Sequence, residues 1–252
     1  MQFYKTSVLI SSLLFSPLLF AANDLSNSLA GPFHLNTDLY IFAADIDGSI
    51  SDGNLDYKVR QPFHETVKNL DHFFMGRINL SKGDWGIYID QQLVKTTENK
   101  QVLQYPIALK TKLTQTSYGL YYQAYRSPVE NINQRPKLTV EPTIGIHHTE
   151  AKATLGAFGL SKTADINWNE FFWGTRLRYN FDSPWNVASE ITAGAKDTLL
   201  AQAYLGYNVA VFNRDINLYA GYRYFKQDYR SGNFHWNIHE QGPVLGLNIP
   251  IF

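Results

Sequence analysis

Apolar and polar residues alternate with period two in about ten short segments between Leu35 and Ile251, and this alternation constrains the chain more than any other feature. Successive side chains of a β-strand point to opposite faces, so each segment presents one apolar face and one polar face. Between Ile216 and Phe225, the residues Ile216, Leu218, Ala220, Tyr222 and Tyr224 share one face; Asn217, Tyr219, Gly221 and Arg223 share the other. Such strands suit a soluble sandwich or a membrane-spanning barrel. The face that carries charge, the lengths of the connections and the placing of aromatics separate the two.

Trp173, Thr175, Leu177, Tyr179 and Phe181 stand on one face of their segment, with Gly174, Arg176, Arg178 and Asn180 on the other. The same phasing puts Asp38, Arg77, Asp90, Glu141, Glu190 and Arg223 on polar faces, together with His147. Inside a sandwich each unpaired ion would cost several kcal/mol, on the order of a lost buried salt-bridge partner. A wet or salt-bridged barrel interior tolerates them. The expected fold is therefore all-β: a closed antiparallel, up-and-down transmembrane β-barrel of about ten strands, with eight or twelve possible. Its strands fall near 34–47, 72–81, 85–95, 110–126, 137–149, 170–181, 186–195, 200–212, 216–228 and 236–251. The predicted lumen charge network comprises Asp38, Arg77, Asp90, Glu141, Arg176, Arg178, Glu190 and Arg223. Glycine recurs on the same faces, at Gly86, Gly119, Gly145, Gly206, Gly221 and Gly246 among others, which fits a narrow barrel filled by its own long side chains.

The connections alternate in length. Ser81 to Asp84, Asp182 to Pro184 and Asn213 to Asp215 read as tight turns, while 48–71, 96–109, 150–169 and 229–235 read as long loops. Short turns on one rim and long loops on the other describe a barrel with periplasmic turns and extracellular loops. Ser127 to Pro136 is long for such a turn and Lys196 to Leu199 short for such a loop. Aromatics make up 15% of the chain, enough for two interfacial girdles. The expected inner belt is Trp85, Phe181 and Trp185, and the expected outer belt is Trp168, Phe171, Phe172 and Trp236. The longest apolar run after the leader, Thr198 to Phe212, is broken by Gln202 and Asn208, so a closed barrel is the expected way to cross a bilayer.

Residues 1–22 carry Lys5, an apolar run from Ser7 to Phe20 and a small-residue end at Ala21-Ala22, the pattern of a cleaved secretory signal peptide. One barrel domain, 23–252, is expected to follow, located in the bacterial outer membrane. With no cysteine there is neither a lipid-anchor site nor a disulfide framework. The 22 basic and 22 acidic residues balance, which argues against nucleic-acid binding. The expected partners are outer-membrane lipid and the barrel-assembly machinery, for a monomer without a cofactor.

Leu70-Asp71 leading to Gly76, Lys82-Gly83-Asp84-Trp85-Gly86 with Asp90, Gly221-Tyr222-Arg223-Tyr224 and the ending Gly242-Pro243-Val244-Leu245-Gly246-Leu247 together carry a resemblance. In their order and spacing the chain resembles a family of small Gram-negative outer-membrane β-barrel proteins with no assigned activity. The resemblance implies location and fold, and brings no catalytic residues. Phe252 is a terminal aromatic of the kind barrel assembly favours, yet it lies one residue out of phase with Leu245, Leu247, Ile249 and Ile251, and Pro250 interrupts the last strand.

Several smaller constellations invite chemistry. Asp45 to Asn54 concentrates oxygen ligands suited to calcium but lacks the spacing of an EF-hand, so a polar strand end and turn is expected. His147 and His148 point to opposite faces, and His235 and His239 lie about 13 Å apart along a strand, so no metal site is expected. His147, His235, Ser231 and Glu150 are the candidates for a hydrolase or lipid-modifying enzyme at the outer rim. Pro62 to Phe74 spaces Phe63, Val67, Leu70 and Phe74 as in a short amphipathic helix that rests on the rim or partly plugs the lumen. The leading functional expectation is a non-enzymatic structural or interaction role with a side-chain-filled lumen. A narrow selective solute channel and a rim enzyme are the alternatives.

Overall fold

The computed structural model describes residues 29–252 apart from 53–54, 103–104, 130–134, 158–159, 195–196 and 213; the expected signal peptide, 1–22, lies outside the described residues. In chain order the elements are β1 (Phe33–Phe42), β2 (Asp45–Asp52), β3 (Leu55–Gln61), α1 (Phe63–Lys68), β4 (Leu70–Lys82), β5 (Trp85–Val102), β6 (Tyr105–Tyr122) and β7 (Tyr125–Arg126). They continue with β8 (Leu138–Ala157), β9 (Leu160–Asn180), β10 (Trp185–Gly194), β11 (Leu199–Val211), β12 (Arg214–Ser231) and β13 (Phe234–Pro250).

Ten strands form the wall, in the order β1, β4, β5, β6, β8, β9, β10, β11, β12, β13, and β13 pairs back onto β1 from Asn36↔Pro250 to Phe42↔Val244. Closure leaves no free edge at this level. Pro250 has no N–H to give, yet the seam continues past it: the Ile251 N–H donates to the Leu35 carbonyl at 2.7 Å and the Leu35 N–H to that of Phe252 at 2.9 Å. Both described ends of the chain therefore lie at the short-turn rim, where Lys82 faces Trp85 across a two-residue turn with Gly83 at φ +57°. That left-handed conformation suits glycine.

Charge is on the inside and oil on the outside, the reverse of a soluble protein. Ile78, Ile87, Ile144, Trp173, Ile191, Leu205 and Leu218 are exposed on the exterior, whereas Asp90, Glu190, Arg223, Gln202 and Tyr88 are buried within. This is the arrangement of a membrane-spanning barrel. Rings fill the narrow interior by lying over glycines: Tyr88 over Gly119, Tyr121 over Gly86, Tyr219 over Gly246. A Cβ at any of the three would run into the ring above it. No helix among the described residues is long and apolar enough to cross a membrane.

The stretches read as long loops are largely strand. β5 and β6 stay paired to Val102↔Tyr105, β8 and β9 to Ala157↔Leu160, and β12 and β13 to Ser231↔Phe234. Above the barrel the wall parts along two seams. At one, β1 pairs β4 only as far as Leu39↔Gly76, after which its continuation β2 turns into the hairpin β2–β3. At the other, β10 and β11 end low, at Gly194 and Leu199, around the short connection the sequence had marked as anomalous. Two sheets rise past these gaps: β4-β5-β6-β8-β9 and β12-β13-β2-β3.

The helical spacing at 62–74 produces only one turn and a half. α1 buries no residue, so it does not plug the lumen, and Leu70 to Phe74 belong to β4. The Asp45 carboxylate accepts the Phe63 N–H at 2.7 Å, holding the start of α1 to the foot of β2.

Candidate functional site

Inward-facing residues of a single strand already show how the interior is layered. Along β12 from the short-turn end they run Asn217, Tyr219, Gly221, Arg223, Phe225, Gln227, Tyr229; along β9, read in the same direction, Asn180, Arg178, Arg176, Gly174, Phe172, Glu170, Trp168. Amides come first, then charges, then aromatic rings, then a polar layer, then an apolar cap.

The charged layer is a connected cluster. Arg77 donates from Nε to Asp90 Oδ2 and from Nη1 to Glu190 Oε2, both at 2.9 Å. The other oxygens are also used, Tyr40 donating to Asp90 Oδ1 at 2.5 Å and Tyr88 to Glu190 Oε1 at 3.3 Å, while Gln202 donates at 2.7 Å to the Glu190 Oε2 that Arg77 already holds. Arg176 pairs with Glu141 at 3.4 Å and lies over the Tyr121 ring at 4.3 Å. Arg223 is held differently, between the Phe42 and Phe225 rings, with the Gln92 oxygen accepting from Nη2 at 2.7 Å once that amide is oriented to satisfy its neighbours. Asp38 accepts from Asn79 and Asn248, at 3.1 and 3.0 Å. Arg178 is exposed on the wall of the inner cavity. All eight residues expected in the lumen thus face inward. Tyr40, Tyr88, Gln92 and Gln202, which complete the cluster, lie outside the predicted charge network, though strand parity puts Tyr40 on the face of Asp38, Tyr88 and Gln92 on that of Asp90, and Gln202 on that of Gly206.

Farther out, His147 is buried against Phe172, ring centroids 4.2 Å apart, and its Nδ1 is 2.7 Å from Ser117 Oγ. Next come amides and acids: Gln227 donates to Thr149 at 2.9 Å and to Glu170 at 3.1 Å, and Gln115 donates to Glu240 at 2.5 Å. The cap lies between the two rising sheets. Trp168, Trp236 and Ile238 form its center, with Ile46, Ile50, Val59, Leu113 and Ile166 packed around them. Here the expected outer belt must be corrected. Trp168, Phe172 and Trp236 are 4%, 0% and 7% exposed and point inward, while Phe171 is on the exterior. Past the lipid level the two sheets have only each other to bury their rings against. The inner-belt residues Trp85, Trp185 and Phe181 are on the exterior at the short-turn end, packed against Tyr122, Tyr207 and Tyr179 at 4.9, 4.8 and 5.1 Å.

At the short-turn end the lumen widens into a cavity of about 530 Å³. Arg135, Pro136, Asp215 and Pro250 surround its mouth, and the Arg77, Asp90 and Arg223 layer forms its floor.

The enzyme candidates are not brought together. His147 is inside with Ser117; His235 pairs with Asp228 at 3.0 Å; Glu150 pairs with Lys112 at 2.8 Å; Ser231 is exposed at the β12 tip. His148 faces outward to Asn169 at 2.8 Å, and His239 meets the Tyr224 hydroxyl at 3.3 Å.

No protein-family model matches the chain, and no curated protein is similar to it. Among solved structures it is similar to Ail, the attachment invasion locus protein of Yersinia pestis, at 13% identity over 88% of this chain and 100% of that one, with a TM-score of 0.39. It is also similar to Neisserial surface protein A (14% identity, 86% and 96% covered, TM-score 0.30) and to the translocator domain of the autotransporter NalP from Neisseria meningitidis (12%, 90% and 92%, 0.31). The closed barrel follows from the strand register independently of these likenesses.

Proposed function

We propose that the protein is an integral outer-membrane barrel that does not conduct solutes and whose role is to hold two rigid β-sheets above the outer surface of the membrane. The observation that carries this reading is the apolar cap of Trp168, Trp236 and Ile238. One set of side chains closes the outer end of the lumen and also cements the two sheets into a stalk. Exposed polar residues on that stalk, such as Lys162, Asp165 and Asn167 of β9, are where contacts with a partner would be made. The apolar exterior, the wet interior and the aromatics beside the short turns support the outer membrane as its location, with the short turns toward the periplasm.

A narrow channel is the competing reading, since the inner cavity is roomy. It requires a path through the Arg77, Asp90, Glu190 cluster and then through the cap. Purified protein in a planar bilayer tests it: the sealed barrel gives a flat current trace. Discrete openings that change size in Arg223→Ala would establish a channel instead.

A further inference from the structure

The volume of the inner cavity, about 530 Å³, falls within the ~300–1,000 Å³ typical of small-ligand pockets. Six arginines and five carboxylates line it, and they are not evenly matched along its depth. In the deeper layer Arg77 stands across the strands from Asp38 and Asp90, and Arg176 from Glu141 and Glu190. One step toward the mouth this alternation of charge stops. Arg126 of β7 and Arg178 of β9 flank Thr139 of β8 as its cross-strand neighbours, and the next residue along that row, on β10, is Ala188.

The carboxylates of the cavity are engaged elsewhere. Asp90 and Glu190 are held by Arg77, Glu141 by Arg176 and Asp215 by Arg135 at 2.7 Å. Asp38 accepts from two amides and lies within electrostatic reach of Arg178. One acid therefore answers to two exposed arginines, neither of which has a carboxylate at ion-pair distance among the described residues. Neighbouring strands lie about 4.8 Å apart, which puts the Arg126 and Arg178 backbones roughly 10 Å apart across Thr139 and lets both side chains reach a common point above it. The low-dielectric wall of a cleft concentrates such a field. Two guanidinium forks suit a phosphate monoester, which carries close to two negative charges at neutral pH and three acceptor oxygens. A single carboxylate would leave one fork unanswered. Beyond Ala188, which leaves room, the rings of Tyr204 and Tyr219 line the same cavity with centroids 5.1 Å apart and offer apolar faces to an organic group.

We propose that the inner cavity binds a small phosphate ester from the short-turn side, its phosphoryl group held by Arg126 and Arg178 and its organic part directed past Ala188 toward the tyrosines. The site lies at the opposite end from the stalk and does not depend on it. The mature barrel, folded in an uncharged detergent at low salt and pH 8, is titrated by calorimetry with phenyl phosphate, and in parallel with benzoate and benzyl alcohol. The expected result is saturable binding of phenyl phosphate, weaker binding of benzoate and none of benzyl alcohol. Arg126→Gln and Arg178→Gln should each weaken phenyl phosphate about tenfold or more, the size of one lost charge-assisted contact. Ala188→Phe should weaken it as well while removing no charge. Lys162→Gln, which removes a cation from the stalk, should leave it unchanged. Both arginines are exposed, so their replacement spares the fold, and heat-modifiable gel migration confirms this for each variant. No saturable uptake by the wild type overturns the proposal. So does binding unchanged in a folded Arg126, Arg178 or Ala188 variant, an equal loss in Lys162→Gln, or benzoate bound as tightly as phenyl phosphate.

Discussion

At the scale of single residues, the interior stands or falls on Arg77. It is the cation shared by Asp90 and Glu190, and both acids are buried. Removing one member of a buried ion cluster strands the others, at about 3–5 kcal/mol. Arg77→Leu should lower the urea midpoint of the refolded barrel accordingly, and the triple replacement Arg77→Leu, Asp90→Asn, Glu190→Gln should recover most of the loss. Tyrosine rings set a second constraint. Gly119→Ala places a methyl group into the Tyr88 ring, and overpacking of this kind costs about 1–3 kcal/mol. Its partner Tyr88→Leu in the same chain should restore stability, which the same urea titration would show. Parity along each strand was enough to turn the eight charged residues inward. The same parity was available for Trp168, Phe172 and Trp236: the first two are in phase with Arg176, the third with Gly242 and Gly246. The expectation that rim aromatics face lipid hid it, because aromatics at that height can also bury one another.

At the scale of elements, the strands that touch lipid were legible and their outward extensions were not. Where lipid ends, the outer face has no reason to be apolar. Lys110-Thr111-Lys112, Lys152-Ala153-Thr154 and Ser161-Lys162-Thr163 therefore lack the greasy alternation and look like loop. Backbone pairing continues through them nonetheless, as in Lys112↔Lys152 and Thr154↔Thr163. What holds the two sheets together is the cap, so its removal should loosen the stalk and spare the barrel. Trp236→Ala is expected to cost about 3–5 kcal/mol locally. Amide exchange should accelerate in β2, β3 and the outer part of β12–β13 and stay slow at Tyr88 and Glu190. Uniform acceleration over all strands would mean that the stalk and the barrel are one cooperative unit.

At the scale of the whole molecule, the chain is a cylinder with three surroundings: water above, lipid around the waist and a second aqueous side below. Its lack of cysteine makes that claim directly testable by single-cysteine labelling in a Gram-negative host. Asn167 is on the stalk, Ile191 on the exterior of the waist and Asn208 in the wall of the inner cavity. With a membrane-impermeant maleimide, Asn167→Cys should react in intact cells and Asn208→Cys only after the outer membrane is opened. Ile191→Cys should react in neither state but yield to a lipid-soluble maleimide. Ready reaction of Ile191→Cys with the impermeant reagent in intact cells would contradict the account, because it would put water where the barrel requires lipid.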